Sequence, residues 1–273
     1  MDLSYMITTD NEGMSVKDFL LSSGISHTIL KKAKFGGITV SGKTVTVRHI
    51  LKKNEELRVF VPEISEERIP PISIPIPVVY EDEHILIVDK PTGMPTHPSK
   101  GNSLPTLANA VVALMGKEFV FRAVNRLDRD TSGLVLIAKN AFCASRLSLA
   151  MKRREIIKKY VALVEGKPAN KKGMIDAPIR RESEGSIKRI VASDGKDALT
   201  EYEVIKQNED CSLLEITLHT GRTHQIRVHM AYIGHPLVGD FLYGKRRDEG
   251  YELRCHFLSF VHPITGSTIS IKI

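Results

Sequence analysis

The strongest constraint on the fold of this chain is a cluster of prolines about a quarter of the way along it. Five prolines fall within residues 62–77 of the 273-residue chain. Proline fixes its backbone φ and has no amide hydrogen to donate, so closely spaced prolines cannot build a helix or a central strand. We therefore predict an extended linker over residues 63–77, a small unit over residues 1–62 and a larger unit over residues 78–273.

The positive charge of the chain is concentrated in the smaller unit. The whole chain carries 39 Lys and Arg residues against 32 Asp and Glu residues, a net charge of +7. Residues 14–62 alone hold nine basic and three acidic side chains, which leaves +1 for the other 224 residues. A small basic unit is expected where a protein contacts a polyanion such as RNA, although a Lys-rich face that only meets solvent gives the same count.

The pattern inside the smaller unit predicts two short helices, a hairpin and a closing strand. Ser15 and Ser26 are each placed to cap a helix, and the second helix carries three lysines around its apolar side. The hairpin turns at residues 41–43, with Val45 and Val47 in its returning strand, and residues 57–61 alternate as the closing strand. This small basic α/β unit resembles the S-four-type RNA-binding domain. The resemblance implies RNA contacts from the lysines of the second helix, which are Lys31, Lys32 and Lys34.

The larger unit reads as an α+β domain built on a mostly antiparallel sheet. Its apolar runs predict seven strands, at residues 78–80, 85–88, 134–138, 161–164, 202–205, 213–218 and 269–273. Helices are predicted over residues 107–115 and 141–154. In the sixth strand, apolar and polar residues alternate, as in an antiparallel strand with one buried face. Strands outnumber helices, which favours this class.

Several classes of protein and site are not expected. No run of eighteen apolar residues is present, and the N-terminus lacks the order of a signal peptide. The three cysteines are far apart, which argues against a disulfide framework and favours the cytoplasm. Phosphate-loop, dinucleotide and His-Glu-x-x-His motifs are absent, and the spacing of His224, His229 and His235 suits no metal site. We therefore expect a reaction without cofactor or metal.

Two polar segments could carry chemistry. Residues 125–134 run into the apolar strand 135–138, which places a carboxylate on a rigid loop at the edge of a sheet. Either Asp128 or Asp130 could be catalytic there, or both could only form turns with neighbouring hydroxyls. Residues 218–230 end a strand and begin a helix, and their Arg, His and Gln side chains could donate to a phosphate or a carboxylate.

Five blocks of the larger unit, in order, resemble the motifs of RluA-type RNA pseudouridine synthases. Asn125-Arg-Leu-Asp-Arg-Asp-Thr-Ser-Gly-Leu134 resembles the catalytic signature of that family. The other four blocks are residues 80–98, residues 160–166 with Tyr160, residues 220–240, and residues 256–266. Asn125 departs from the pattern, because many members have histidine at this position. We expect it to change a local hydrogen bond and not to remove activity.

The resemblance implies a pseudouridine synthase fold and the cofactor-free isomerisation of a uridine within RNA. Asp128 is then the essential carboxylate, which attacks the sugar or the base, or removes a sugar proton. The resemblance assigns to Arg227 the cation that offsets the burial of this carboxylate, by a bidentate contact, with Arg222 as the second candidate. Tyr160 is implied under the uracil, and Arg126 is implied as the side chain that fills the vacated base stack.

The expected partner is RNA, without a membrane or a metal, and the chain is expected to be a monomer. The basic N-terminal unit favours large-subunit ribosomal RNA as the substrate, and transfer RNA remains open. A non-catalytic RNA-binding or ribosome-assembly protein would need only the basic unit, so it is the competing class. A metal-dependent RNA hydrolase lacks a credible set of ligands.

Overall fold

A computed structural model describes residues 1–34, 36–61, 69–98, 105–244 and 250–273. The strands are β1 Asp2–Met6, β2 Ile38–Val40, β3 Lys43–Thr44, β4 Glu56–Phe60, β5 Val78–Glu81, β6 Ile85–Lys90, β7 Ser132–Ala138, β8 Ile157–Glu165, β9 Lys172–Asp176, β10 Ile179–Arg181, β11 Arg189–Val191, β12 Leu199–Gln207, β13 Cys211–Leu218, β14 Leu253–Val261 and β15 Thr268–Lys272. The helices are α1 Val16–Ser22, α2 His27–Ala33, α3 Leu107–Met115, α4 Ala141–Lys152 and α5 Gln225–Tyr232, with a 3-10 turn at Thr9–Asn11. Strands outnumber helices, which confirms the α+β class.

The N-terminal part contains a four-stranded sheet in the order β1-β4-β2-β3. Helices α1 and α2 lie between β1 and β2 in the chain. Both predicted helix caps are confirmed. The Oγ of Ser15 accepts a hydrogen bond from the amide of Asp18 at 3.1 Å, and the Oγ of Ser26 accepts one from the amide of Ile29 at 3.3 Å. These caps satisfy amides that the first turn of a helix leaves unpaired.

Two details of the N-terminal part differ from the prediction. The returning strand of the hairpin is only Lys43–Thr44, so Val45 and Val47 lie beyond it and the prediction of a longer strand was wrong. Strand β1 was not predicted at all. It pairs along its whole length with β4, from Asp2 opposite Phe60 to Met6 opposite Glu56, and this long-range pairing compensates for its weak apolar pattern.

The predicted linker is partly outside the described residues, which resume at Ile69. Residues 69–77 contain no helix or strand. They lie against α3, because the Nδ2 of Asn109 donates to the carbonyl oxygen of Pro70 at 2.8 Å and the amide of Ile72 donates to the carbonyl oxygen of Asn109 at 3.2 Å. This stretch therefore has no regular secondary structure but is held against α3 by hydrogen bonds.

The larger part is organised around one nine-stranded sheet. Its strand order is β5-β6-β7-β14-β8-β13-β12-β9, and β15 pairs with β14. Every pairing is antiparallel apart from that of β7 with β14, as the prediction of a mostly antiparallel sheet requires. A separate ribbon is formed by β10 and β11. Strands β9, β10, β11 and β14 have no counterpart among the seven predicted strands, although part of β14 lies in the family block at residues 256–266.

The parallel contact between β7 and β14 requires a glycine. Gly133 has a φ of +108°, a conformation that other residues rarely adopt. A Cβ placed there would lie 2.7 Å from the backbone nitrogen of Cys255 and would overlap the Cys255 carbonyl oxygen. Gly133 therefore lets the strand that follows the polar segment approach the middle of the sheet.

The two parts of the protein are in direct contact. The Oγ of Ser145 on α4 donates to the carbonyl oxygen of Gly24 at 2.7 Å, and the buried apolar side chains of both parts form one continuous cluster. Among the described helices, none has the length and apolar character that crossing a membrane requires.

Candidate active site

A large cleft opens over the polar segment that precedes β7. Its volume is about 1310 Å³. The predicted residues of the larger unit all line this cleft, and they are Asp128, Tyr160, Arg227, Arg126 and Arg222. They come from the loop before β7, from β8, and from the loop and helix after β13. The sheet thus brings together side chains that lie about a hundred residues apart.

The loop that carries Asp128 is fixed on both sides of this residue. On one side, the hydroxyl of Thr96 donates to the carbonyl oxygen of Leu127 at 2.8 Å and accepts from the amide of Leu127 at 3.2 Å. On the other side, the Nζ of Lys90 donates to the carbonyl oxygen of Arg129 at 3.1 Å. Asp128 itself is half-buried at the cleft wall, so its carboxylate is held by backbone on either side and faces open space.

Lys90 is a completely buried lysine with three carbonyl partners. Besides the Arg129 oxygen, its Nζ donates to the carbonyl oxygens of Pro91 at 2.9 Å and Met94 at 2.6 Å. Burial lowers the pKa of Lys90 to about 8, and the nearby Asp130 and Asp128 oppose this. The side chain therefore ties the end of β6 to the loop of Asp128.

The side chain of Asn125 joins this loop to the backbone of β7 by two hydrogen bonds. It is buried, its Nδ2 donates to the carbonyl oxygen of Leu134 at 3.0 Å, and its Oδ1 accepts from the amide of Leu136 at 2.8 Å. Both bonds reach β7. The amide side chain thus supplies one donor and one acceptor to the strand.

The geometry distinguishes the two aspartates of the segment. Both oxygens of Asp130 are engaged by Arg129, whose Nε and Nη2 donate to them at 2.8 and 2.9 Å. Asp130 does not line the cleft, whereas Asp128 does. Of the two alternatives left open by the sequence, Asp128 is the carboxylate that is available to a ligand in the cleft.

Tyr160 is buried in the middle of β8, and its side chain lines the same cleft. Burial raises the pKa of Tyr160 well above the ordinary value of a phenol, and the neighbouring Cys255 and Asp128 act in the same direction. The phenol therefore keeps its proton at neutral pH. It offers an aromatic ring and a hydroxyl close to the Asp128 charge.

Arg227 is held by a carboxylate other than the expected one. Its Nε and Nη2 each donate at 2.7 Å to an oxygen of Asp240, and both side chains are almost fully buried. The prediction that the bidentate contact of Arg227 is made to Asp128 was therefore wrong. Asp240 lies thirteen residues further along the chain and is brought under α5 by the fold, which sequence spacing does not reveal.

Three aromatic rings surround the same guanidinium. Its Cζ lies 4.4 Å from the ring centroid of Tyr251, 5.0 Å from that of Tyr243 and 5.6 Å from that of Phe241. Burial works against the charged form, but the Asp240 hydrogen bonds, Tyr251 and the Asp128 charge together raise the pKa of Arg227 above its ordinary value. Arg227 is thus a fixed cation within electrostatic reach of Asp128.

His224 is placed next to this cation at the start of α5. Its φ of +58° is in the left-handed region, and its Nδ1 lies 2.8 Å from the hydroxyl of Tyr243. That hydroxyl accepts from the amide of Arg189 at 2.9 Å, so its own proton is free to be donated to the imidazole. Burial lowers the pKa of His224, which favours a neutral ring.

The remaining predicted residues are exposed. Arg126 stands at the cleft beside Asp128, and the Nε of Arg222 donates to the carbonyl oxygen of Asp197 at 2.8 Å. Lys31, Lys32 and Lys34 lie on or just after α2, exposed and outside the cleft. The structure therefore groups five of the eight predicted residues and leaves the three lysines on a separate surface.

The histidines considered as metal ligands have other partners. His229 is buried between the hydroxyl of Thr200 and the carbonyl oxygen of Ala177, both at 2.8 Å, and His235 lies 2.9 Å from the carbonyl oxygen of Glu165. All three histidines therefore take part in hydrogen bonds within the fold. Within the described ranges, no group of three His, Cys, Asp or Glu residues could hold a metal ion.

Sequence reasoning missed several residues that shape the cleft. Asp240 and Lys90 lie inside blocks that resemble family motifs, so the blocks marked them without revealing a role. Tyr251 and Tyr243 gave no signal, because each is a single tyrosine outside the quoted motifs. Lys158 resembles any lysine at the start of an amphipathic strand, and only the structure reveals that it is buried.

Comparison with known proteins identifies the family. The family model described as RNA pseudouridylate synthase matches residues 84–232. The uncharacterized RNA pseudouridine synthase YjbO of Bacillus subtilis is 41% identical over 261 residues, which cover 92% of each chain. The ribosomal large subunit pseudouridine synthase D of Zymomonas mobilis is 36% identical over 272 residues, which cover 91% of this chain and 86% of that protein.

A solved structure agrees with these matches. Human RNA pseudouridylate synthase domain containing 1 superposes with a TM-score of 0.61 at 27% identity, over 73% of this chain and 83% of that one. The prediction of a pseudouridine synthase fold is thereby confirmed. The chain belongs to the RNA pseudouridylate synthase family, and it is an enzyme that isomerises uridine in RNA to pseudouridine.

Proposed function

We propose that this enzyme converts specific uridines of structured large-subunit ribosomal RNA to pseudouridine, as a cytoplasmic monomer, without a cofactor and with Asp128 as the essential carboxylate. One observation carries the chemical part of the proposal, which is that Asp128, Tyr160 and Arg227 line one cleft. The ribosomal part is supported by relatives from Zymomonas mobilis and Xanthomonas campestris named ribosomal large subunit pseudouridine synthase D, at 36% and 35% identity.

Asp128 acts on the target nucleotide itself. In the isomerisation, the bond between the uracil nitrogen and the ribose breaks, the base turns, and a carbon of the same base bonds to the ribose. The carboxylate either attacks the sugar or the base, or removes a sugar proton. No atom is gained or lost and no electron is transferred overall, so the reaction itself calls for no redox partner or group donor.

Arg227 keeps Asp128 ionised in the proposed mechanism. A carboxylate inside a closed cleft loses hydration, which penalises its charged form. A permanent cation nearby offsets this penalty, and Arg227 is fixed by Asp240 at 2.7 Å and by three aromatic rings. Because Arg227 is already held, it needs no reorganisation when the RNA enters.

Tyr160 receives the flipped uracil and moves a proton. Its ring lines the cleft next to Asp128, and its phenol is protonated because burial raises its pKa. A ring of this kind stacks on any pyrimidine, which is typical of sites that take up an unstacked base. We propose the same hydroxyl for the relay of a proton from the turning base.

Arg126 and Arg222 act on the RNA around the target. A uridine in folded RNA must leave its stack to reach the cleft, which costs a few kcal/mol. Arg126 is exposed beside Asp128 and can occupy the vacated position in the stack, since a guanidinium plane stacks well on bases. Arg222 is exposed at the opposite loop and is available to phosphates.

The basic N-terminal unit docks the RNA, as an S-four-type domain would. In support, Lys31, Lys32 and Lys34 are exposed on a capped helix of a small sheet domain. Replacing all three with glutamine should weaken RNA binding and reduce the slope of log affinity against log salt by about two units. A matched control changes the exposed lysines Lys171, Lys172 and Lys206 at the far edge of the large sheet. Equal effects of the two triplets would contradict a docking role.

The target is identified by mapping pseudouridines in total RNA from cells with and without the protein, followed by incubation of the pure protein with unmodified RNA. We expect positions in the large-subunit ribosomal RNA to be lost from the cells and restored in vitro. Loss confined to transfer RNA would contradict the proposed substrate and leave the chemistry intact. RNA binding without any new pseudouridine would contradict the proposed catalytic site.

A further inference from the structure

A buried lysine lines the cleft, and it has no anionic partner among the described residues. Lys158 is on β8, two residues before Tyr160, and only 7% of it is exposed. Its single hydrogen bond among the described residues is to the thioether sulfur of Met151, at 3.4 Å. Successive residues of a strand point to opposite faces, so Lys158 and Tyr160 share one face and Lys159 lies on the other.

This environment is unfavourable for an ammonium group. Burial of a charge is costly unless the charge is paired, and a thioether is a weak acceptor. Burial accordingly lowers the pKa of Lys158, and among the described residues Cys255 opposes this. A binding site that is incomplete without its ligand has this character, because the cost of the buried charge falls when an anion arrives.

The position of Lys158 in the cleft indicates which anion fits. Met151, its present partner, is in the last turn of α4, and the exposed Lys152 and Arg154 line the same side of the cleft. On the other side, a Cβ placed on Gly221 would be 3.9 Å from the Lys158 Nζ, so backbone rather than a side chain borders the amine there. Three cations thus line the cleft that also contains the tyrosine proposed to receive the flipped uracil.

We propose that Lys158 binds a phosphate of the RNA strand directly beside the flipped uridine. A compact ammonium with several donors suits a phosphate, and the phosphates on either side of a flipped nucleotide must follow it to the cleft. The proposal rests on pseudouridine formation in RNA, not on which RNA is the target.

The first test compares Lys158→Met with Lys159→Met, which removes the same charge from the opposite face. Lys159 pairs with Glu215 at 2.8 Å outside the cleft. For Lys158→Met we expect RNA affinity to fall about ten- to a hundredfold, with the slope of log affinity against log salt smaller by about 0.7–0.9. The KM should rise more than kcat falls. Lys158→Met should be at least as stable to heat as the wild type, since an unpaired buried charge is removed.

The second test locates the phosphate. The probe is a short hairpin excised from the RNA that the wild-type protein modifies, whether ribosomal or transfer RNA, with a neutral methylphosphonate at one phosphate at a time. We expect one position beside the target uridine to weaken binding by the wild type and by Lys159→Met. The same position should not weaken binding by Lys158→Met or by a second variant, Lys158→Gln, because the two changes remove one contact.

Two results would overturn the assignment. One is a Lys158→Met enzyme whose salt slope and methylphosphonate profile match those of the wild type. The other result needs no variant: RNA binding by the wild-type enzyme would not be weakened by a methylphosphonate at any phosphate beside the target uridine. If the hairpin that is modified comes from transfer RNA, the ribosomal substrate fails while both tests of Lys158 still apply.

Discussion

Replacement of Asp240 by asparagine should remove about 3–5 kcal/mol from the free energy of unfolding. Arg227 and Asp240 form a buried ion pair in which 3% and 0% of the side chains are exposed. The loss of one partner leaves the other charge buried and unpaired, which typically costs this amount. Asparagine keeps the size of the side chain and one acceptor oxygen, so the change in the free energy of unfolding reports the loss of the charge.

Asp240 also accepts hydrogen bonds from the amides of Leu242 at 2.9 Å and Tyr243 at 3.1 Å. Both amides use the oxygen Oδ1, and the amide oxygen of asparagine can take its place. The NH₂ group of the asparagine then faces the Arg227 guanidinium, so that two hydrogen-bond donors oppose each other. We therefore attribute the expected loss to the Arg227 contact rather than to a collapse of the following turn.

The measurement is urea unfolding at pH 7, supported by a thermal melt in which the expected loss lowers Tm by about 6–20 °C. The matched control is Glu203→Gln, which breaks an exposed pair with Lys172 and should cost at most about 1 kcal/mol. The activity of Asp240→Asn at a temperature well below its Tm should also fall, because Arg227 is no longer fixed near Asp128. A loss of stability no larger than that of the control would refute the account of how Arg227 is held.

Three further changes test other parts of the structure. Tyr160→Phe should keep RNA affinity and lower the single-turnover rate about 10²–10⁴-fold, and a rate near that of the wild type would mean that the ring acts only by stacking. Gly133→Ala should lower the free energy of unfolding in urea by more than Gly185→Ala does. A Cβ at residue 185 meets open space, so that change costs only the roughly 1–2 kcal/mol of a left-handed backbone, whereas a Cβ at residue 133 meets the backbone of Cys255. Equal losses would argue against the close contact of β7 and β14. Burial alone would raise the pKa of Asp82, but hydrogen bonds from two backbone amides and other neighbours hold it below the ordinary 3.8. The ionised Asp82 therefore stabilises the folded protein above pH 3.8, and this contribution is lost as the pH falls through the lowered pKa. The stability gap between wild type and Asp82→Asn should therefore narrow below about pH 4, and a gap that stays constant from pH 7 to pH 3 would contradict this.

The sequence predicted those elements whose apolar pattern is strong. Helix α3 lies where residues 107–115 were predicted to form it. Each of the seven predicted strands of the larger unit is present, and six of them are longer than predicted. The strands β1, β9, β10 and β11 were missed because they are short and rich in polar or charged residues, and β14 was marked only in part, by a family block. Such strands form because a partner is available, as β4 is for β1, and local sequence does not carry that information.

The sequence predicted which residues form the candidate site but not which contacts they make. The polar segment and the family blocks indicated Asp128, Tyr160 and Arg227, and these three line one cleft. The sequence could not indicate that Asp240 holds Arg227, because the pairing depends on how the loop after α5 folds back. Nor could it distinguish a buried lysine from an exposed one, which is why Lys158 emerged only from the structure.

The central claim is that Asp128 carries the chemistry, and the most direct test is Asp128→Asn with Asp130→Asn as its control. Asp130 is two residues away, is paired with Arg129 and does not line the cleft. The measurement is pseudouridine formed per enzyme in RNA that the wild type modifies, together with RNA affinity. We predict that Asp128→Asn forms no detectable pseudouridine while binding RNA as the wild type does, and that Asp130→Asn stays active. Turnover by Asp128→Asn at a rate near that of the wild type would contradict the account.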